Sequence, residues 1–237
     1  MSEPQLEIAG LTSGYDGAAV VRGVDITIPA GEIVALLGPN GAGKTTILRT
    51  ISGIVRPMKG SVRVLGQDVA RLAPNRIARR GVSHVAEGRT VFFGLTVAEH
   101  FRLGGRGERM DSEHAYGYFP ALRDLRDRRV GLLSGGEQQM LALAVALARR
   151  PKLLLVDELS LGLAPIIVKR MLPVLRRYAT ETGASVLLVE QHVELALDTA
   201  DSAVALSHGD VVFKGAAAEL RSDRRLLLAS YLGEAAR

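Results

Sequence analysis

Gly38-Pro39-Asn40-Gly41-Ala42-Gly43-Lys44-Thr45 sets three glycines ahead of a lysine and a threonine. The spacing fits G-x-x-x-x-G-K-S/T. Glycines there let backbone N–H groups converge on an anion where a Cβ would block the approach. A helix starting at the lysine adds the positive end of its dipole. Lys44 can then reach the outer phosphates of a nucleotide, and Thr45 can offer its hydroxyl to Mg²⁺. Far downstream, Leu153-Leu154-Leu155-Val156-Asp157-Glu158 places two carboxylates at the end of an apolar run. Asp157 suits Mg²⁺ held through its water shell, and Glu158 suits polarising an attacking water. Between them, Leu133-Ser134-Gly135-Gly136-Glu137-Gln138-Gln139 opens a helical run to about Ala148. A serine and two glycines at a helix start make another anion-accepting end.

These groups need rigid elements to aim them. Glu32 to Leu37 is a continuous aliphatic run bounded by glycines, as a fully buried strand should be, and a helix is expected from about Lys44 to Ile54. Lys152 to Val156 reads as a second buried strand, so its carboxylates fall where open α/β sheets bind ligands. Strands are also expected at Leu6 to Leu11, within Val20 to Ile28, and at Ser61 to Leu65, Val82 to Val85 and Ser185 to Glu190. Pro165 opens a helix to about Ala179. Val204–Leu206 and Val211–Phe213 flank Ser-His-Gly-Asp and form a hairpin. From about Thr96 to Leu147 helical periodicity dominates, with Thr96-Val97-Ala98-Glu99 patterned as a capped start.

The phosphate loop, the Ser134 heptapeptide and the Asp157-Glu158 strand, in this order and spacing, resemble the nucleotide-binding domain of ABC transporters. The likeness spans nearly the whole chain. It implies an α/β P-loop NTPase core (1–87 and 148–237), an N-terminal antiparallel β region and an inserted helical subdomain at about 88–147. It also implies ATP and Mg²⁺ as ligands. In that family two such domains face each other head to tail. The resemblance therefore assigns ATP binding to Gly38–Thr45 and Thr46, and assigns Ser134, Gly135, Gly136 and Glu137 to the partner's ATP. It places Tyr15 where an aromatic stacks on adenine, although a half-buried Tyr at a strand end fits that position equally. Glu87, in Val85-Ala86-Glu87-Gly88-Arg89, holds the position of the usual glutamine, near the γ-phosphate and Mg²⁺. There a phosphate contact can pull on the helical block.

Asp157-Glu158-Leu159-Ser160-Leu161-Gly162-Leu163-Ala164-Pro165, Phe119-Pro120-Ala121-Leu122-Arg123, Leu188-Val189-Glu190-Gln191-His192 and the late Tyr231-Leu232-Gly233 are similar to the ATPases of branched-chain amino acid importers, the LivF type. Besides Glu87, three positions depart from the wider family. Gln191 stands for the switch histidine, with His192 one residue later, and a neutral amide can bond a phosphate but cannot carry a proton. Ala164 replaces the usual aspartate after the catalytic strand, and Leu159 a proline. The resemblance thus implies catalytic roles for Glu158, Lys44 and Gln191. It implies work beside a second ATPase (hetero- or homodimer), two transmembrane permease subunits and a periplasmic or extracellular solute-binding protein. An importer of urea or another small solute, an exporter, and a soluble ATPase acting on ribosomes or nucleic acid stay open as alternatives.

Composition narrows the field. The 237 residues are 47% hydrophobic but only 4% aromatic, without Trp, which suits an aliphatic parallel sheet covered by helices. Without cysteine, disulfides, zinc–thiolate clusters and thiol catalysis are excluded. The net charge is +5, yet the arginines are dispersed and no aromatics interleave with them, so nucleic acid is not the expected partner. The first ten residues lack the pattern of a signal peptide. The longest apolar run, Met140–Ala148, is far short of the roughly 20 residues of a spanning helix. The expected location is peripheral, on the cytoplasmic face of the inner membrane. His84, His100, His114 and His208 share no metal-ligand spacing and read as surface or half-buried residues. Arg123–Arg129, interrupted by Asp124 and Asp127, reads as a solvated helix face.

Overall fold

The computed structural model describes residues 3–88, 90–104, 110–190 and 192–222. The chain opens with β1 (Leu6–Tyr15) and β2 (Ala18–Ile28), followed by β3 (Ile33–Leu37) and α1 (Lys44–Ile51). β4 (Lys59–Val64), β5 (Gln67–Asp68), α2 (Pro74–Ala78) and β6 (Val82–Val85) come next. The helical block holds α3 (Val97–His100), α4 (Ser112–Tyr118), α5 (Ala121–Asp124) and α6 (Gly135–Leu147). The chain then returns to alternation with β7 (Leu153–Asp157), α7 (Pro165–Thr182), β8 (Ser185–Val189) and α8 (Val193–Thr199). It closes with β9 (Ser202–Ser207), β10 (Asp210–Ala216) and α9 (Ala217–Ser222).

Two sheets result. One is antiparallel, in the order β2-β1-β4-β5, and the other has six strands in the order β10-β9-β3-β8-β7-β6. In the larger sheet β9, β3, β8, β7 and β6 run parallel, and β10 turns back against β9. Successive side chains of a strand point to opposite faces, so a sheet covered on both sides needs apolar residues at every position. β3 meets that demand: Ile33, Ala35 and Leu37 join the cluster formed with the helical block, α6 and α7. Val34 and Leu36 join the opposite cluster, with α1 and the antiparallel sheet. The helical block's Val97, Phe101, Tyr116 and Leu133 belong to the first cluster, so it shares its core with the sheet.

Several boundaries differ from the sequence expectation, each for a local reason. β1 and β2 extend to a two-residue turn in which Asp16 and Gly17 both have positive φ (50° and 82°). Asp-Gly favours that turn because its twist matches the flanking strands. α1 ends at Ile51, before the expected Ile54, because Gly53 (φ 77°) takes the left-handed conformation that stops a helix. In the Arg123–Arg129 run only Arg123 and Asp124 are helical; turn and bend follow, with Leu125 half-buried and Arg129 bridged to Thr96, since charge alternation alone supplies no apolar stripe to bury. His100 is neither surface nor half-buried. At 2% exposure it is a tie within the fold, with Nδ1 2.8 Å from the Thr96 carbonyl and Nε2 accepting from Phe92 N at 2.9 Å. Among the described residues no helix is long and apolar enough to cross a membrane.

Candidate functional site: a phosphate-sized cleft at the carboxyl edge of the sheet

Strand order builds the site. β3, β8, β7 and β6 are consecutive parallel neighbours. Their carboxyl ends therefore deliver, side by side, the Gly38–Thr45 loop, Glu190, the Asp157-Glu158 pair and Ala86-Glu87. Ligands of open α/β sheets bind outside such ends. Here Asn40, Gly41, Gly43, Lys44, Thr45, Thr46, Glu87 and Glu158 line a cleft of about 350 Å³, together with Val20 and Leu161. Gly38, Pro39, Ala42 and Asp157 stand behind that lining. Tyr15 and Ser134–Glu137 lie outside it, and Gln191 falls outside the described residues.

The glycines of the loop are demanded by backbone and by space. Gly38 (φ 145°) could not carry a Cβ, which would sit 2.3 Å from the Leu206 carbonyl oxygen. Gly43 (φ 103°) caps α1 and would drive a Cβ to 2.2 Å from Val21 Cγ1. α1 begins at Lys44, so its first N–H groups open onto the cleft. Lys44 Nζ donates to the carbonyls of Gly38 (2.8 Å) and Pro39 (3.0 Å), which folds the side chain over its own loop. Burial pulls the ammonium's pKa down, while Glu158, Asp157 and Glu87 oppose that shift.

Asp157 ends β7 at 1% exposure. Burial raises its carboxyl to about 6. The Thr45 hydrogen bond and Lys44 pull it down, whereas Glu158 and Glu87 push it up. Thr45 Oγ1 donates to Asp157 Oδ1 at 3.4 Å. A hydroxyl and a costly buried anion this close, with further carboxylates nearby, form a donor set that a divalent cation would relieve. Among the described residues no group of three or more His, Cys, Asp or Glu is placed to hold a metal without help. Mg²⁺ keeps several waters and takes one or two protein ligands plus phosphates, a role that the Thr45 hydroxyl and the Asp157 carboxylate have the chemistry to fill.

Glu158 follows with φ 48°, a left-handed conformation costly for a residue with a Cβ. Its N–H donates to Val189 O at 3.0 Å, which ties it to the end of β8. Tyr15, 40% exposed at the hairpin turn, receives a hydrogen bond on its hydroxyl from Arg49 Nη1 (3.3 Å). The second anion-accepting end is well formed. Ser134 caps α6, accepting from Glu137 N at 3.3 Å, while Glu137 Oε2 accepts from Ser134 N at 2.7 Å. Gly136 faces the first turn of α7; a Cβ there would lie 3.0 Å from Ile167 Cγ2.

Sequence reasoning passed over Glu190 and Ser160. Glu190 is fully buried and accepts from Ser160 N (3.1 Å) and Ser160 Oγ (2.6 Å). The available signal was a carboxylate directly after the apolar run Val186–Val189, a place where burial should exclude a charge.

Comparison with known proteins agrees with this geometry. Residues 21–160 match the family model described as ABC transporter. The chain is 40% identical to the high-affinity branched-chain amino acid transport ATP-binding protein BraG of Pseudomonas aeruginosa, covering 92% of this chain and 95% of that protein. It is 30% identical to BraF of the same organism, of the same description, covering 99% of this chain and the whole of that protein. The fold superposes with a TM-score of 0.84 on the ADP conformation of an ATP-binding cassette of an ABC transporter, at 21% identity, covering 96% of this chain and 98% of that one. With residues 21–160 matching that family model and relatives at 30–40% identity over nearly the whole chain, the chain belongs to the ABC transporter family, as an ATP-binding cassette ATPase.

Proposed function

We propose that this chain is the ATP-hydrolysing subunit of an importer for branched-chain or related amino acids. In this reading it forms one half of an ATPase dimer on the cytoplasmic face of the membrane, against two permease chains supplied by an external solute-binding protein. The observation that carries the reading is the convergence of Lys44, Thr45, Glu87 and Glu158 in one cleft, in a chain 40% identical to BraG. BraG and BraF are two such proteins of one organism, and likeness to both supports a heterodimer in which a second ATPase faces this one.

The chemistry follows from the geometry. When ATP enters, the loop N–H groups and the α1 N-terminus receive the phosphates, and Lys44 exchanges the Gly38 and Pro39 carbonyls for phosphate oxygens. Thr45 and Asp157 would hold Mg²⁺, with Glu87 beside them, and the ion when bound would offset negative charge on the phosphates. Glu158, held in the cleft by its bond to Val189, orients and polarises the attacking water. Tyr15 gives adenine a stacking face. Ser134, Gly135, Gly136 and Glu137 present the α6 N-terminus to the partner's ATP, so nucleotide bridges two subunits and its hydrolysis removes the bridge. Gln191 supplies an amide to the γ-phosphate in place of a histidine. The helical block at about 88–147 then moves relative to the core (1–87 and 148–237), with Glu87 at their junction. Exposed Phe92 and Phe93 on that block offer an apolar surface to a permease.

The test is purification of tagged Glu158→Gln with ATP from mildly solubilised native membranes. Recovery of two permease chains and a second ATPase supports the reading, and the accompanying binding protein identifies the solute. Recovery of ribosomes or nucleic acid overturns it.

A further inference from the structure

We propose that Glu190 and Ser160 form a positioning latch for Glu158, in which the buried Glu190 carboxylate fixes the turn that aims the water-activating side chain. This inference rests on the assignment of Glu158 as that side chain.

Glu190 has no exposed surface. Taking a carboxylate out of water is costly, and an apolar side chain of similar size would fill the space without that cost. What the carboxylate adds is direction. Both of its oxygens are engaged by one residue: Oε1 receives Ser160 N at 3.1 Å, and Oε2 receives the Ser160 hydroxyl at 2.6 Å. Two hydrogen bonds from one residue to the two oxygens of one carboxyl fix orientation as well as distance.

The turn so held is the one that carries Glu158. Leu161 N donates to Glu158 O at 3.2 Å, and Leu163 N donates to Ser160 O at 3.0 Å, so residues 158–163 form a compact double turn. Glu158 enters it with φ 48°, a conformation unfavourable for a residue with a Cβ that persists only where its surroundings impose it. Two ties impose it. Val189 O takes the Glu158 N–H, and the next residue, Glu190, takes Ser160. Both ties come from the end of β8, the strand that lies between the phosphate-loop strand β3 and the carboxylate strand β7. The phosphate-binding groups, Lys44 and Thr45, touch neither Ser160 nor Glu190 in this network. Loss of the latch should therefore misplace Glu158 while leaving nucleotide binding intact.

The test compares ATP turnover and the affinity for a fluorescent ATP analogue in full-length wild type, Ser160→Ala, Glu190→Gln, the double variant and Glu158→Gln. Ser160→Ala is the primary variant because it removes only the hydroxyl bond and leaves the buried carboxyl with its backbone donor. Its kcat should fall by about 10- to 100-fold, as misplacement of a reacting group does. Analogue affinity in Ser160→Ala should stay within about twofold, since Ser160 bonds neither Lys44 nor Thr45. Glu190→Gln should cost little more once Ser160 is Ala, because the two act as a unit. Wild-type turnover in Ser160→Ala, with Glu158→Gln inactive, overturns the latch and leaves the Glu158 assignment standing. Equal loss of turnover and affinity, or fully additive single effects, also overturns it. Wild-type turnover in Glu158→Gln removes both readings together.

Discussion

The Thr45 hydroxyl donates to Asp157 Oδ1 at 3.4 Å, joining the first turn of α1 to the end of β7. This contact pairs a flexible donor with a carboxylate that burial, Glu158 and Glu87 hold at a pKa of about 6. The folded-state value lies above that of the unfolded chain. Its contribution therefore favours the folded state fully below about pH 4 and is lost as pH rises through about 6. Asp157→Asn keeps an acceptor for Thr45 and removes the charge. In the absence of nucleotide and Mg²⁺ it should raise stability at pH 7.5 by about 1–2 kcal/mol after allowance for screening, and Tm by several degrees. The gain should shrink as pH is lowered through 6 towards 4. Thermal melts across that range check it, and a gain independent of pH would contradict the assigned cause.

Lys44 and Glu158 should fail in different ways. Lys44→Ala removes the cation from the phosphates and should weaken analogue affinity by at least about tenfold, as loss of a charge-assisted contact does. Glu158→Gln leaves the phosphate contacts in place and should lower turnover by about 100-fold or more, with affinity retained and a dimer that persists in ATP. Paired binding isotherms and gel filtration with ATP separate the two; matching defects would show that the roles are not divided.

At Ser134, stability and function can be separated by charge. The Ser134–Glu137 capping box satisfies the start of α6. Ser134→Ala should therefore cost about 1 kcal/mol of stability. Ser134→Asp also caps a helix, so stability should be preserved. Its negative charge, however, stands where a partner's phosphate is expected, so ATP-dependent dimerisation should be lost. Denaturant midpoints and sedimentation with ATP distinguish these effects.

His84 sets an acid limit. Its Nδ1 lies 3.2 Å from Ser52 Oγ, and burial, reinforced by Arg49, pushes its pKa down to about 4. A depressed folded value means that stability is full above about pH 6.5 and declines as pH falls towards 4, where the unfolded chain takes up a proton and the folded one resists. The decline should amount to about 1–2 kcal/mol after allowance for partial exposure. His84→Gln should flatten it, as measured by urea midpoints at pH 7 and pH 5.

Much of the cleft was legible because its parts are local. Three glycines ahead of Lys44 specify a backbone path, and the aliphatic runs ending at Leu37 and Asp157 specify buried strands. What brings them together is not local. Glu87 reaches the cleft only because β6 neighbours β7, and Ser160 meets Glu190 only because β8 neighbours β7. No period in the sequence encodes that order. Other features were readable but carried a competing signal. Asp16-Gly17 announces a hairpin, yet the uneven alternation of the flanking strands, with register shifts near Leu11 and Ser13, obscures their length. The Arg123–Arg129 charges suggested a helix face, although Leu122 and Leu125 are too few apolar residues to anchor one there.

The contact between Gly136 and Ile167 bears on how such chains can be recombined. Gly136 beside the Ser134 turn and Ile167 in the first turn of α7 share a tight space, where a methyl group at Gly136 would require Ile167 to give way by a few tenths of an ångström. Substitutions at these two positions must therefore travel together. A chimaera that borrows the Asp157–Ala164 loop from a related subunit should place its junction beyond Ile167, because a junction at Pro165 would join one parent's loop to the other parent's packing.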